Sequence, residues 1–168
     1  SLKQFESKIE EYENQGKTTM IVSVNGKPIG IIAVADAVKE DSISAIQALK
    51  NKGYKTVMIT GDNEKTAKAI AEQVGIQEII ANVLPEDKAK KVEELQKKGF
   101  VAFIGDGIND APALKQSNVG IAIGTGTDIA IEAGDIVLAK GSLTGVVQAI
   151  NLSKATFRKI KQNLFWAF

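Results

Sequence analysis

The chain has 168 residues, of which 44% are hydrophobic and 24% are charged, and its formal net charge is +1. This composition is that of a folded globular protein with one ordinary domain, and the near-zero net charge argues against a nucleic-acid-binding protein. Cysteine and histidine are both absent, which excludes disulfides, thiolate metal sites and histidine acid–base catalysis. Any catalysis must therefore use carboxylates, lysines, hydroxyls and backbone amides, which suit Mg²⁺ and phosphate.

The N-terminal segment predicts a helix followed by a β-hairpin. Residues 2–15 are rich in charge, and their apolar positions are spaced as one helical stripe. Two runs of β-forming residues, 20–24 and 29–34, flank the pair Asn25-Gly26. Because both positions of that pair tolerate positive φ, it favours a tight hairpin turn.

From residue 36 onward, the pattern predicts helices that alternate with short apolar strands. The predicted strands are residues 56–60, 79–84, 101–104, 119–123 and 136–138. Gly75 ends one of the intervening helices, and the next helix is opened by Pro85 and ended by Gly99. This alternation predicts an α/β fold with a parallel sheet covered by helices on both faces.

The C-terminal pattern predicts a helix that begins near Ser142 or Thr144. The chain ends on five apolar residues, 164–168, which follow the basic residues Arg158, Lys159 and Lys161. One interpretation is an amphipathic helix packed on the domain. The other is a helix that enters a bilayer from the cytoplasm, with a basic flank and an aromatic residue at the interface.

Two predicted strands end in polar, glycine-containing turns, and parallel sheets bind ligands beyond the carboxyl ends of their strands. The first turn is Thr60–Asn63 and the second is Gly105–Asp110. Glycine permits close approach to a ligand, and a helix N-terminus offers free amides to phosphate. Asp106 and Asp110 would share a helix face if residues from 109 onward are helical, and their carboxylates suit Mg²⁺. The alternative for each turn is a helix cap, which is the weaker explanation for the second.

Lys88 is the third candidate site residue. It lies in the first turn of the helix that Pro85 opens, where the helix dipole disfavours a cation. The alternatives are a solvated lysine or a charge directed at a transferring phosphoryl group. No Walker-type phosphate loop occurs, and Asp110 occupies the third glycine position of a dinucleotide fingerprint.

Together these motifs resemble the phosphorylation domain of P-type ATPases, which has the haloacid-dehalogenase-like fold. The matching segments are Thr60-Gly61-Asp62, Pro85 to Lys88 and Gly105 to Asp110, in the family's order and spacing. The similarity extends from about Gly30 to the end of the chain. Segments 120–128 and 163–168 resemble the heavy-metal subclass, and its copper(I)-transporting branch more than its zinc, cadmium and lead branch.

The resemblance implies a role for each site residue in phosphoryl transfer from ATP to an aspartate and in the hydrolysis that follows. The phosphate-binding residues would be Thr60, Gly61, Asp62 and Asn109. Lys88 would be catalytic and would neutralise developing charge. Asp106 would coordinate Mg²⁺, and Asp110, also assigned to the metal, would be catalytic by positioning the metal's water or Lys88.

The resemblance also implies a division of the chain. Residues 1–29 would be an α+β remnant of the nucleotide-binding domain, 30–150 the phosphorylation domain, and 151–168 a linker helix that leads into a truncated membrane segment. The chain would be the cytoplasmic portion of an integral membrane pump. Its partners would be the remaining nucleotide-binding segments and the transmembrane helices, with copper or another heavy-metal ion as cargo.

One departure from the family is serious, because its nucleophile motif, Asp-Lys-Thr-Gly-Thr, does not occur in this sequence. The nucleophile is expected upstream, on a central strand between the strands that end at Thr60 and Ile104. Without that strand we expect a gap of roughly 10 Å in the sheet, with unpaired backbone on both sides. The chain alone is expected to be inactive.

Two other functions compete with this prediction. A non-catalytic haloacid-dehalogenase-like module that binds Mg²⁺ and phosphate would explain the missing nucleophile, but not the basic and aromatic C-terminus. A signalling receiver domain also has a parallel sheet and clustered aspartates. Receivers gather an acidic pair near the first strand, whereas only Asp36 follows the strand at residues 29–34, which disfavours this assignment.

Overall fold

The computed structural model describes residues 3–35, 38–106, 109–124 and 132–167. The described helices are α1 (Lys3–Asn14), α2 (Glu40–Asn51), α3 (Glu64–Val74), α4 (Lys88–Gln96), α5 (Ala111–Gln116) and α6 (Thr144–Ala167). The described strands are β1 (Thr18–Val24), β2 (Lys27–Val34), β3 (Val57–Ile59), β4 (Glu78–Ile80), β5 (Ala102–Gly105), β6 (Val119–Ile123) and β7 (Ile136–Leu138). The predicted alternation of helices and parallel strands, and with it the α/β class, is confirmed.

The hairpin at the start of the chain forms as predicted. Strands β1 and β2 pair antiparallel, and Asn25 (φ 49°) and Gly26 (φ 74°) form the turn between them. Positive φ at both positions matches the twist of the strands, which is why this pair suits the turn. Helix α1 packs on the hairpin and on α3. The predicted domain boundary after residue 29 falls inside β2.

The parallel strands fall into two separate sheets. β3 pairs with β4, while β5, β6 and β7 form a three-stranded sheet. Among the described residues, no strand ladder joins the two sheets. Of the strands described, β3 and β5 each pair on one side only, and they are the two strands between which the central strand is expected.

The larger sheet and α5 enclose the best-packed core. Leu114 and Ala122 are almost fully buried and pack with Ala133 and the partly buried Phe103. A Cβ atom at Gly120 would lie 2.7 Å from the backbone oxygen of Leu114. This close helix–strand approach fixes α5 against β6, so the turn between β5 and α5 has a rigid support.

Helix α6 begins within the predicted range and has two dissimilar halves. Its first turns pack against α2, with Val146 buried, whereas every residue in 151–167 is exposed. The helix is continuous through residue 150, so the predicted boundary at that point lies within it. In the described part of the chain, no helix has the length and hydropathy needed to cross a membrane. The predicted membrane segment stays a prediction.

Candidate functional site

The turn after β3 is held against the end of β4 by backbone hydrogen bonds. The amide of Thr60 donates to the oxygen of Ile80 at 3.0 Å, and the amide of Val83 donates to the oxygen of Thr60 at 3.0 Å. Asn63 caps α3, because its side-chain oxygen accepts from the amide of Thr66 at 3.0 Å. The capping explanation is therefore correct for Asn63, and it leaves Thr60–Asp62 for other roles.

Asp62 organises this turn through two hydroxyl groups. The Thr60 hydroxyl donates to Asp62 Oδ2 at 2.7 Å and accepts from the Asp62 amide at 3.1 Å. The Thr18 hydroxyl donates to Asp62 Oδ1 at 3.2 Å. Each hydroxyl carries one hydrogen, so the Thr60 side chain has none left for a phosphate oxygen in this arrangement. Gly61 is exposed, and its amide has no acceptor among the described residues.

The second turn, after β5, places its residues in different environments. Asp106 and Asn109 are exposed, whereas Asp110 is 9% exposed. Helix α5 begins only at Ala111, so Asp110 occupies the position before the helix. The condition under which Asp106 and Asp110 would share a helix face is not met, because the helix does not extend back to residue 109. Gly107 and Ile108 lie outside the described residues, as does Asp36.

Lys88 and Asp110 form an ion pair at the carboxyl edge of the two sheets. Lys88 Nζ lies 2.6 Å from Asp110 Oδ1, with the two side chains 17% and 13% exposed. Lys88 is the first residue of α4, directly after a 3₁₀ turn over Pro85–Asp87. The solvated alternative is therefore wrong for Lys88. It does hold for Lys90, whose exposed ammonium pairs with Asp87.

Gly105 makes room for this pair. A Cβ atom at residue 105 would lie 2.5 Å from Asp110 Oδ2 and 2.8 Å from the Asp110 Cβ. From the sequence, the glycines of this turn are expected to permit close approach of a ligand. For Gly105, the group that approaches is instead the side chain of Asp110, so the glycine permits the buried ion pair.

The carboxylates of this turn are hard oxygen ligands, but they are few. Within the described ranges, no group of three or more acidic side chains is close enough to hold a metal. Mg²⁺ in phosphate sites commonly takes one or two carboxylates, substrate phosphate and several waters. The exposed Asp106 fits that pattern, whereas one oxygen of Asp110 is already bound to Lys88.

Sequence reasoning missed Thr18. It lies 44 positions before Asp62 in the chain, on a strand whose only recognisable signal was its hairpin pattern. A hydrogen bond between residues so far apart in the chain produces no recognisable pattern in a single sequence.

Comparison with known proteins relates the chain to one family. The model for haloacid dehalogenase-like hydrolases matches residues 1–118. The chain is 57% identical to the copper-transporting ATPase 1 of Rhizobium meliloti, over 95% of this chain and 19% of that protein. It is 52% identical to the copper-exporting P-type ATPase of Bacillus subtilis, over 96% of this chain and 20% of that protein. It thus spans about a fifth of the length of the curated relatives it matches.

Solved structures agree with the sequence comparison. A zinc-transporting PIB-type ATPase in its E2.Pi state is 44% identical, with a TM-score of 0.78 over 97% of this chain and 27% of that one. The catalytic domain of a CPx-ATPase is 35% identical, with a TM-score of 0.62 over 77% of this chain and 52% of that one.

Proposed function

Because the chain belongs to the haloacid dehalogenase-like hydrolase family, we propose that it handles phosphate and Mg²⁺ in an ATP-driven heavy-metal pump. The observation that carries the proposal is the largely buried ion pair between Lys88 and Asp110. The relatives named copper-transporting or copper-exporting support copper as the cargo. The reaction is formation and hydrolysis of an aspartyl phosphate, with ATP as the substrate of the parent protein.

In this proposal, the ion pair serves phosphoryl transfer rather than the stability of the fold. Removing two charges from water is costly, and a buried pair is often no more stabilising than apolar residues of the same size. This pair lies at the sheet edge where ligands bind in parallel α/β folds. Asp110 holds the ammonium of Lys88 in a fixed position, where it neutralises charge on a transferring phosphoryl group.

The remaining site residues divide between phosphate and metal. The free amide of Gly61 and the exposed side chain of Asn109 bind phosphate oxygens, while Thr60 and Asp62 shape the turn that carries Gly61. Asp106 holds Mg²⁺ directly, and Asp110 acts next to it through Lys88. When bound, Mg²⁺ supplies positive charge to the phosphate oxygens.

The divided sheet supports a nucleophile on a separate segment. β3 and β5 each have one edge without a strand partner among the described residues. A strand that paired with both edges would have its carboxyl end between Gly61 and Asp106. We place the nucleophilic aspartate on such a strand, upstream in the parent protein together with most of the nucleotide-binding region. The chain alone is then inactive.

The same proposal assigns each part of the chain a position within the parent protein. It is the cytoplasmic portion of a membrane pump, with residues 1–29 from the nucleotide-binding domain and residues 30–150 forming the phosphorylation domain. Residues 151–168 link that domain to the transmembrane helices. The basic residues Arg158, Lys159 and Lys161 on the exposed half of α6 suit a position next to anionic lipid.

The test is to prepare the chain alone and joined to the upstream segment, and to assay aspartyl phosphate from Mg²⁺ and ATP. We expect phosphoenzyme only in the joined protein, and we expect Asp106→Ala to abolish it. The matched control is Asp41→Ala in the joined protein, because Asp41 is an aspartate on α2 bonded to Ser142. It should leave phosphoenzyme formation intact.

The opposite result would favour the non-catalytic module. In that case the chain alone would bind Mg²⁺ and phosphate as a stable monomer, and joining it to the upstream segment would yield no phosphoenzyme.

A further inference from the structure

The N-terminal unit, defined as α1, β1 and β2, is seated directly on the turn that carries Gly61. Four contacts join it to this turn and to the start of α3. They are Lys65 Nζ to Glu10 Oε1 (2.6 Å), Asn63 Nδ2 to Glu13 Oε1 (3.2 Å), Thr66 Oγ1 to Lys17 O (3.2 Å) and Thr18 Oγ1 to Asp62 Oδ1 (3.2 Å). Two of these contacts reach the turn: Glu13 contacts Asn63, the cap of α3, and Thr18 contacts Asp62. Because Asp62 is the residue next to Gly61, the contact from Thr18 is the link to the candidate phosphate site.

Thr18 donates the second of two hydroxyl hydrogen bonds to the Asp62 carboxylate. Oδ2 of Asp62 accepts from Thr60 and Oδ1 accepts from Thr18. An ionised carboxylate only accepts hydrogen bonds, so the two hydroxyls fix its orientation from opposite ends. The orientation matters because Asp62 is one residue from the amide of Gly61.

A carboxylate next to an anion site must be held in place. A mobile Asp62 would bring negative charge close to a phosphate on Gly61 and would repel it. It would also release the Thr60 hydroxyl, which accepts from the Asp62 amide and so holds the turn. The hydrogen bond from Thr18 opposes both changes.

We propose that Thr18 is a positioning residue, which acts through Asp62 to couple the seating of the N-terminal unit to phosphate affinity at Gly61. The proposal rests on the proposed function, because it assumes that the turn binds phosphate. When the N-terminal unit moves away from α3, Thr18 leaves Asp62 and phosphate affinity falls. The phosphate affinity at Gly61 would thereby depend on whether the hairpin, and the nucleotide-binding domain to which it belongs, is packed against α3.

The decisive experiment measures the affinity of the joined protein for inorganic phosphate, from phosphoenzyme formed without ATP. We expect Thr18→Val to weaken phosphate binding roughly fivefold, which matches the loss of one partly exposed hydrogen bond to a charged group. The maximal phosphoenzyme level should not change. Thr18→Ser keeps the hydroxyl and should restore the affinity.

A neighbouring residue provides the matched control. Thr19 lies next in β1 and points to the other face of the hairpin, so Thr19→Val should bind phosphate as the unaltered protein does. A double-mutant cycle of Thr18→Val with Asp62→Asn should be non-additive, because both changes break the same contact. Thermal melting of Thr18→Val should match that of Thr19→Val, which separates positioning from a general loss of stability.

The outcomes distinguish this inference from the proposed function. Unaltered phosphate affinity in Thr18→Val, or equal weakening in Thr19→Val, would overturn the role of Thr18 while phosphoenzyme formation still supports the pump. Absence of phosphoenzyme from both ATP and phosphate would overturn the proposed function. The contact is then tested in the same protein by NMR of the Thr60 methyl group, whose signal should shift in Thr18→Val and not in Thr19→Val. No shift would overturn the coupling as well.

Discussion

Two lysine–carboxylate pairs in this molecule have the same length and different surroundings. Lys88–Asp110 and Lys65–Glu10 are both 2.6 Å long, but the side chains of the first are 17% and 13% exposed and those of the second 47% and 62%. Water and salt screen the exposed pair, which is worth little. The buried pair carries a desolvation cost that the exposed pair does not, and this cost is why we propose a chemical role for it. Distance alone does not distinguish the two pairs, whereas burial does.

The largest effect is expected from breaking the buried pair. Lys88→Ala leaves the Asp110 carboxylate buried without a partner, which should lower the free energy of unfolding by roughly 3 kcal/mol. In the joined protein it should reduce the rate of phosphoenzyme formation at least about a hundredfold. Denaturant unfolding and rapid-quench phosphorylation measure the two effects. Lys90→Ala, which removes an exposed pair, should change neither, and a fully active Lys88→Ala would remove the basis of the proposal.

A smaller effect is expected from crowding the same pair. Gly105→Ala places a methyl group within 2.5 Å of Asp110 Oδ2, so Asp110 must move away from Lys88. We expect a loss of about 1–3 kcal/mol in the free energy of unfolding, together with weaker phosphorylation. Gly99→Ala is the control, because a Cβ atom there meets nothing within 4 Å. Equal melting temperatures for the two variants would show that the pair tolerates displacement.

Breaking the exposed pair should have almost no effect on the free energy of unfolding by comparison. Lys65→Ala removes the contact with Glu10, yet water already solvates both side chains. We expect no measurable change in the free energy of unfolding at physiological salt, and raising the salt concentration should leave Lys65→Ala and the unaltered chain alike. A clear loss of stability in Lys65→Ala would mean that this pair helps to seat the N-terminal unit.

The pH dependence of the exposed pair has a definite sign. The hydrogen bond from Lys65 lowers the pKa of Glu10 from 4.5, and the hydrogen bond to Glu10 raises the pKa of Lys65 from 10.5. Any contribution from Glu10 is present above pH 4.5 and is lost as the pH falls through its folded-state pKa. The contribution from Lys65 is complete below pH 10.5 and is lost as the pH rises through its folded-state pKa.

The stability difference between Glu10→Gln and the unaltered chain should therefore be small and constant from about pH 6 to pH 9. It should shrink at both extremes. Urea unfolding across this range measures the difference in the free energy of unfolding. A slope in that difference with pH would indicate that other groups titrate together with the pair.

Local chemistry made much of the fold predictable. Asn25-Gly26 specified the hairpin turn because both residues accept positive φ, and Gly75 ended α3 with φ 81°. The alternation of short apolar strands and helices specified the parallel arrangement. The sequence also predicted Lys88 and Asp110 as members of one site, through motifs that resemble a known family, and the structure brings the two side chains together.

The contacts within the site were less predictable. The sequence left Lys88 open between a solvated and a catalytic role. Its burial with Asp110 speaks against the solvated role, while the catalytic role stays a prediction. The start of α5 at Ala111 rather than residue 109 was missed, because helix ends depend on tertiary contacts as well as on local signals. The link between Thr18 and Asp62 depends on how the hairpin packs against α3, which no local pattern encodes.

The two halves of α6 differ in burial, so a small tilt of the packed half would produce a larger displacement at the end of the exposed half. The exposed half, residues 151–167, extends about 25 Å at 1.5 Å per residue. The buried packing of the helix is at its first turns, around Val146, and Lys154 adds a contact with the Tyr54 ring at 5.1 Å. A tilt of about 10° in the fixed turns would displace the far end by roughly 4 Å on this geometry. A tilt small enough to keep Val146 packed would therefore displace Trp166 by several ångströms.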